Sequence, residues 1–167
     1  MKPLPEAAGT VLPTLRQALG RFATGVTIVT CLDGDGRAVG LTANSFGALS
    51  LEPPLVLWSL RTASPSLAAF NAARHFAINV LSERQVALSQ RFSRAVADKF
   101  DHGDWRSGEG GVPVLAEAAA VFECETRTRQ EAGDHVLFIG EVLRFADGGL
   151  PPLVFHGGRY WRLGEAL

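Results

Sequence analysis

Two alternating segments with a tight turn between them constrain this chain most. They are "AAAVFECETRTRQ" (118–130) and "HVLFIGEVLRF" (135–145), joined through "AGD". Alternation at a period of two sends successive side chains to opposite faces of a strand, and Gly-Asp reverses the backbone. The pair therefore predicts a β-hairpin. Two further hairpins are expected. "GVTIVTC" (25–31) is β-branched, "DGDG" (33–36) turns, and "RAVGLTA" (37–43) returns. "PLVFHGGRYWRL" (152–163) turns at Gly157-Gly158.

Between the hairpins, the chain turns at Pro53-Pro54 and continues as an apolar strand over 55–60, and "HFAINVL" (75–81) reads as another strand. Helices are signalled three times. Thr14 can cap one through about Phe22, with Leu15, Ala18, Leu19 and Phe22 on one face. Ser64-Pro65 can start a second that runs to about Arg74, and "SERQ" (82–85) has the capping-box pattern for a third ending near Phe92. Residues 101–113 are irregular and glycine-rich. This is a mainly β chain with flanking helices, expected to form an antiparallel barrel with the helices outside it. The βαβαβ alternation of a doubly wound fold is missing.

Composition excludes some classes of function. At 167 residues the chain is expected to be one domain over residues 13–167, with 1–12 as a loose, proline-containing tail. Net charge is −1 and no basic cluster occurs, so nucleic acid is not an expected partner. No run approaches the ~20 apolar residues of a membrane span, and the N-terminus lacks a signal-peptide core, so the reading is cytoplasmic. Cys31 and Cys124 are too isolated for a disulfide framework or a zinc site and read as small buried hydrophobes. His75, His102, His135 and His156 lie in unlike contexts, and no metal site is expected.

Elimination and placement leave a few chemistry-bearing stretches. There is no G-x-S-x-G elbow, Walker sequence, H-E-x-x-H pair or G-x-G-x-x-G after a strand. "GLTANSFGALSLEPPLVLWSL" (40–60) carries Thr42, Asn44 and Ser45 at a strand end. Two readings stand for them: a grip on a flat heteroaromatic edge, or a turn whose side chains bond their own backbone. In "SLRTASPS" (59–66), Ser64, Ser66 and Arg61 suit a phosphate, or else the stretch is a well-capped surface helix. "DKF" (98–100) holds the sole lysine beyond residue 2. In "GDH" (133–135), turn geometry accounts for Gly133 and Asp134, but His135 does nothing for the turn, which makes it the best candidate for substrate contact.

The order of "FATGVTIVT", "GLTANSFGALSLEPPLVLWSL", "TASPSLAAF", "HFAINVL", "DKF", "GGVPVL", "FECE", "GDHVLFIGEV" and "FHGGRYWRL" resembles the short-chain flavin reductases, the reductase components of two-component flavin-dependent monooxygenases. The resemblance covers about residues 15–163. It implies a split β-barrel with the flavin-reductase-like FMN-binding fold, and a homodimer with flavin near the subunit interface. It also implies reduction of FMN or FAD by NADH or NADPH, followed by transfer of reduced flavin to a separate monooxygenase. On this chain, Thr42, Asn44 and Ser45 would line the isoalloxazine and ribityl region. Ser59, Arg61 and Ser64, with Ser66, would lie near the phosphate. Lys99 and Phe100 would close over the flavin, and His135 would meet the nicotinamide. The terminal tyrosine motif falls at Tyr160, with Trp161 beside it. The choices of flavin and of nicotinamide stay open at this point. So do two other functions: a fixed-flavin protein that reduces a corrinoid or ferric complex, and a non-catalytic flavin binder.

Overall fold

The computed structural model describes residues 14–167, so the expected tail at 1–12 lies outside the described residues. Among the described residues, twelve strands and three α-helices, besides two short 3-10 turns at Lys99–Asp101 and Glu109–Gly111, follow in the order α1 (Leu15–Leu19), β1 (Thr24–Gly25), β2 (Thr27–Leu32), β3 (Ala38–Ala43), β4 (Gly47–Leu51), β5 (Pro54–Arg61), α2 (Leu67–Ala72), β6 (His75–Val80), α3 (Val86–Phe92), β7 (Trp105–Ser107), β8 (Pro113–Leu115), β9 (Ala120–Ala132), β10 (His135–Asp147), β11 (Val154–His156) and β12 (Arg159–Trp161). The expected hairpins form as β2–β3, β9–β10 and β11–β12, all antiparallel.

The main sheet has seven strands in the order β3-β2-β6-β9-β10-β5-β4. Its two edge strands, β3 and β4, are consecutive in sequence and joined by residues 44–46 alone. A flat seven-stranded sheet would hold its edges about 29 Å apart. Four peptide units, from Ala43 to Gly47, reach at most about 14 Å. The sheet must therefore roll up until its edges meet at Asn44–Phe46. No ladder closes the seam, which leaves a split barrel. Ser45 spans the gap with its side chain: Oγ accepts from the Ser59 N–H at 3.0 Å and donates to the Ser59 carbonyl at 3.1 Å.

Alternation sorts the side chains into two cores. Inside the barrel, Trp58 stacks on Phe138 at 4.7 Å and meets Phe70 edge-on at 4.9 Å, with Val29, Cys31, Phe76, Ile78 and Val136 around them. Outside, Ile28, Phe92, Leu115, Val121 and Leu153 build a second core beneath α3 and the β7–β8 hairpin. Both faces of β2 are buried as a result. On β5, Val56, Trp58 and Leu60 are buried while Leu55, Leu57 and Ser59 are half-buried, so the apolar run at 55–58 serves two different environments. Burial pushes the thiols of Cys31 and Cys124 up to about 12, with Asp33 and Glu123 adding to it, and both behave as the expected small hydrophobes.

The helices depart from expectation in instructive ways. In α1, Thr14 and Gln17 form the full capping box, but the helix ends at Leu19, and Leu15, Leu19 and Phe22 are 75%, 65% and 79% exposed. No element of the described chain covers that apolar stripe. α2 begins at Leu67 rather than at Pro65 and stops at Ala72. The Ser64-Pro65 signal is used by successive turns instead: Ser64 N donates to Arg61 O, Leu67 N donates to Ser64 O, and Ser66 N reaches the Ser64 hydroxyl at 3.3 Å. At α3 the box half-forms: Gln85 Oε1 accepts from Ser82 N at 2.9 Å, while Gln85 N turns onto the Ser82 carbonyl. Residues 101–113, expected to be irregular, supply β7 and start β8.

Candidate functional site

Strand ends converge where the barrel is split. β3 finishes with Thr42 and Ala43, β5 with Ser59, Leu60 and Arg61, and β10 starts at His135. Ladder register sets His135 directly opposite Arg61 and Leu137 opposite Ser59. With Asn44, Ser45, Ser64 and Pro65 these residues line an open cleft of about 490 Å³, within the ~300–1,000 Å³ typical of small-molecule sites. Ser93, just past the end of α3, joins the lining. A smaller lobe of about 170 Å³ shares Thr42, Ala43, Asn44 and Ser93, and extends the cleft onto Phe155 and Tyr160 of the terminal hairpin.

Hydrogen bonding divides the lining into anchors and free groups. Thr42 Oγ1 donates to the Ser89 carbonyl at 2.6 Å, and Ser89 Oγ pairs with the Tyr160 hydroxyl at 2.9 Å. This relay ties β3, α3 and β12 around the cleft. The hydroxyl protons of Thr42 and Ser45 are thus committed to protein carbonyls, and toward a ligand these two groups can only accept. Free donors lie between them. The Asn44 side chain is exposed, and neither it nor the backbone N–H groups of Asn44 and Ser45 has a hydrogen-bond partner among the described residues. Ser64 Oγ accepts from Ser66 N and keeps its own proton to donate. Arg61 makes no ion pair among the described residues, so a cation stands free at the rim.

His135 is anchored from its neighbour. Its Nδ1 lies 2.8 Å from Asp134 Oδ1, and that hydrogen bond, with the His135 charge, holds the Asp134 carboxyl below the ordinary carboxylate range. The Asp134 carbonyl in turn accepts from Thr62 N at 2.9 Å and Thr62 Oγ1 at 3.2 Å. The turn is therefore stapled to the end of β5.

The cleft brings together Thr42, Asn44, Ser45, Ser59, Arg61, Ser64 and His135. Ser66, Lys99 and Phe100 are not in its lining. Lys99 Nζ donates to the Gly40 carbonyl at 3.0 Å and the Phe92 carbonyl at 3.3 Å, and partial burial lowers its pKa. Phe100 meets Phe92 edge-on at 5.1 Å in the outer core. A Cβ on Gly40 would fall 2.7 Å from Phe92 and 3.0 Å from Phe100, so "DKF" packs against the bare backbone of β3 and braces it. Ser93 and the side-chain relay through Ser89 carry no local signal in the sequence, because both depend on where α3 ends relative to β3.

The model of the flavin reductase like domain matches residues 19–164 of this chain. The chain belongs to that family. The NADH-dependent FMN reductase SmoA of Agrobacterium fabrum is 48% identical over 149 residues, covering 89% of this chain and 84% of its own. The reductase subunit HsaB of a flavin-dependent monooxygenase from Mycobacterium tuberculosis is 39% identical over 152 residues, covering 88% of this chain and 80% of its own. Among solved structures, the Streptomyces globisporus NADH:FAD oxidoreductase SgcE6, in complex with NAD and FAD fragments, superposes with a TM-score of 0.85 at 38% identity, covering 90% of this chain and 91% of its own. Some relatives are longer: the chain spans about half (47%) of a probable flavin reductase from Rhizobium meliloti that is 48% identical to it.

Proposed function

We propose that this member of the flavin reductase-like family reduces free FMN or FAD with NADH and passes the reduced flavin to a separate monooxygenase component. One observation carries the reading. The split in the barrel sets a histidine, a free arginine and a run of unpaired N–H donors around a single cleft, with His135 and Arg61 facing each other across one ladder. The flavin fits this donor set at both ends. Arg61, with the hydroxyls of Ser59 and Ser64, offers cationic and neutral donors to a phosphate. Asn44 and the free backbone amides of Asn44 and Ser45 offer donors to the oxygen- and nitrogen-bearing edge of the ring, where reduction accumulates negative charge.

When bound, the flavin and the nicotinamide supply the hydride chemistry themselves. The chain's part is to hold the two rings at reacting distance, so geometry is its main contribution. His135, at the mouth of the cleft, positions the nicotinamide and need not move a proton. NADH is favoured over NADPH because Arg127 is engaged by Glu125 and Glu141 and Arg129 donates to the Ala73 carbonyl, which leaves no free arginine pair there for a 2′-phosphate.

The test is an anaerobic titration with NADH of FMN or FAD in large excess over protein, followed at the flavin absorbance band. Bleaching of many flavins per subunit supports the reading. Bleaching limited to one per subunit would mean a fixed prosthetic flavin, and bound flavin with no bleaching would mean a storage protein. In the same assay His135→Ala is expected to raise the NADH KM about tenfold while changing flavin affinity less than about twofold. Equal damage to both would remove His135 from the nicotinamide.

The reading includes a homodimer. The outer face of β5 and β10 leaves Leu55, Leu57, Leu137 and Ile139 only half-buried, and that face runs directly into Ser59, Arg61 and His135. The α1 stripe needs cover as well, since a five-residue helix has little stability of its own. A second copy laid over the β5–β10 face would also wall the cleft. Sedimentation of Leu57→Lys is the check: a monomer with weakened flavin binding is expected, and an unchanged dimer would put the interface elsewhere.

A further inference from the structure

We propose that Asp134 is a positioning residue that fixes the ring tautomer of His135, so that Nε2 presents a lone pair to the carboxamide N–H of the nicotinamide. Turn geometry explains why an aspartate can stand here but not what its carboxylate does. That carboxylate lies 2.8 Å from His135 Nδ1. An ionised carboxylate only accepts, so the proton between them belongs to Nδ1. In a neutral imidazole the other nitrogen is then bare, and the hydrogen bond made by one ring nitrogen dictates the chemistry of the other. His135 lines the cleft, so its second nitrogen is the one left for a ligand.

The carboxylate is also held in register. Thr62 binds the Asp134 carbonyl through both its backbone N–H and its hydroxyl, and Gly133, at φ +61, makes the turn that aims the side chain. The charged groups facing the ring are Asp134 on its own turn and Arg61 directly across the ladder on β5. Arg61 carries donors only, so it cannot substitute for the carboxylate as an acceptor for Nδ1–H. With Asp134 removed, nothing on either strand stops the ring from placing its proton on Nε2. A donor would then confront the carboxamide donor.

This inference rests on reading His135 as the nicotinamide contact, and the test separates the two. In the full-length protein with ¹⁵N-labelled histidine, long-range ¹H–¹⁵N correlations recorded near pH 8.5, about two units above the usual histidine pKa, identify the protonated nitrogen. His135→Ala assigns the signal. The wild type is expected to show Nδ1–H with bare Nε2, and Asp134→Ala to shift toward Nε2–H. Kinetically, Asp134→Ala is expected to raise the NADH KM about 3–10-fold, the loss of one hydrogen bond, with kcat and flavin affinity within about twofold. Asp134→Asn keeps the shape of the side chain but can turn its amide N–H onto Nδ1, so it no longer dictates the tautomer and is expected to share the shift toward Nε2–H and the raised KM. An Nε2–H ring in the wild type, or an unchanged ring or an unchanged NADH KM in Asp134→Ala, would overturn the proposal. If His135→Ala leaves the NADH KM unaltered, the nicotinamide contact is wrong, and the ring spectrum alone decides the tautomer.

Discussion

Asn79→Ala is expected to lower the stability of the folded chain by about 3–4 kcal/mol, the sum of a lost pair of hydrogen bonds and the desolvation of the groups left behind. Asn79 sits fully buried on β6, in a position whose neighbours Ile78 and Val80 serve the barrel interior. Its Nδ2 donates to the Ile28 carbonyl at 3.0 Å and its Oδ1 accepts from Leu115 N at 2.8 Å. The same Nδ2 reaches Thr30 Oγ1 at 3.4 Å, and Thr30 donates to the Pro113 carbonyl. One amide therefore locks the β7–β8 hairpin to the sheet across the outer core. Alanine leaves a buried Leu115 N–H unpaired and opens a cavity beside it. Denaturant unfolding would register the loss, and thermal unfolding a fall of roughly 6–16 °C. A loss below about 1 kcal/mol would mean that water or backbone movement satisfies Leu115, and the hairpin is then not held through this residue.

Asn79 also marks the boundary of what the sequence discloses. "HFAINVL" is legible as a strand because its apolar residues outnumber the one polar side chain, and it forms β6. Nothing local says that the asparagine is a buried hub, because its partners are 36 to 51 residues away. The same limit governs the cleft. Thr42, Asn44 and Ser45 invite two readings, ligand grip or backbone turn, and the structure separates the groups that are bonded from the one that is not. Ser45 and Thr42 bond the backbone, though that of β5 and α3 rather than their own, while Asn44 between them stays free. A hydroxyl at a strand end looks the same in either role until the opposing strand is known.

Helix signals erred for another reason. Ser64-Pro65 and "SERQ" are genuine hydrogen-bonding patterns, but a hydroxyl before a proline or a glutamine at the third position stabilises a turn as readily as a helix. The tertiary frame decides: α2 has only six residues before Ala73 becomes extended to enter β6. The resemblance sets "DKF" over the flavin, whereas in the structure the missing side chain at Gly40 creates a slot for the Phe100 ring. Close approach to a glycine on a distant strand leaves no mark next to residue 100.

Arg61→Ala is expected to weaken FMN binding about 10–100-fold, the range for removing one charge-assisted hydrogen bond, while affinity for riboflavin changes less than about twofold. The comparison isolates the phosphate, because the two ligands share the ring and the ribityl chain. Arg61 ends β5, is exposed, and has no carboxylate within ion-pair distance among the described residues, so its removal strands no buried partner and should leave the fold intact. The helix after it cannot stand in for the lost charge, because α2 has only six residues and so little dipole to offer. Raising ionic strength should reduce wild-type affinity for FMN and bring it toward that of the variant, since an exposed pair is screened within about 10 Å at 0.1 M salt. Fluorescence quenching of each flavin, titrated with protein at two salt concentrations, measures all of this. Equal loss for FMN and riboflavin would mean that Arg61 shapes the cleft wall through its stem, and the phosphate would then have to sit nearer Ser93 and the lobe beside Tyr160.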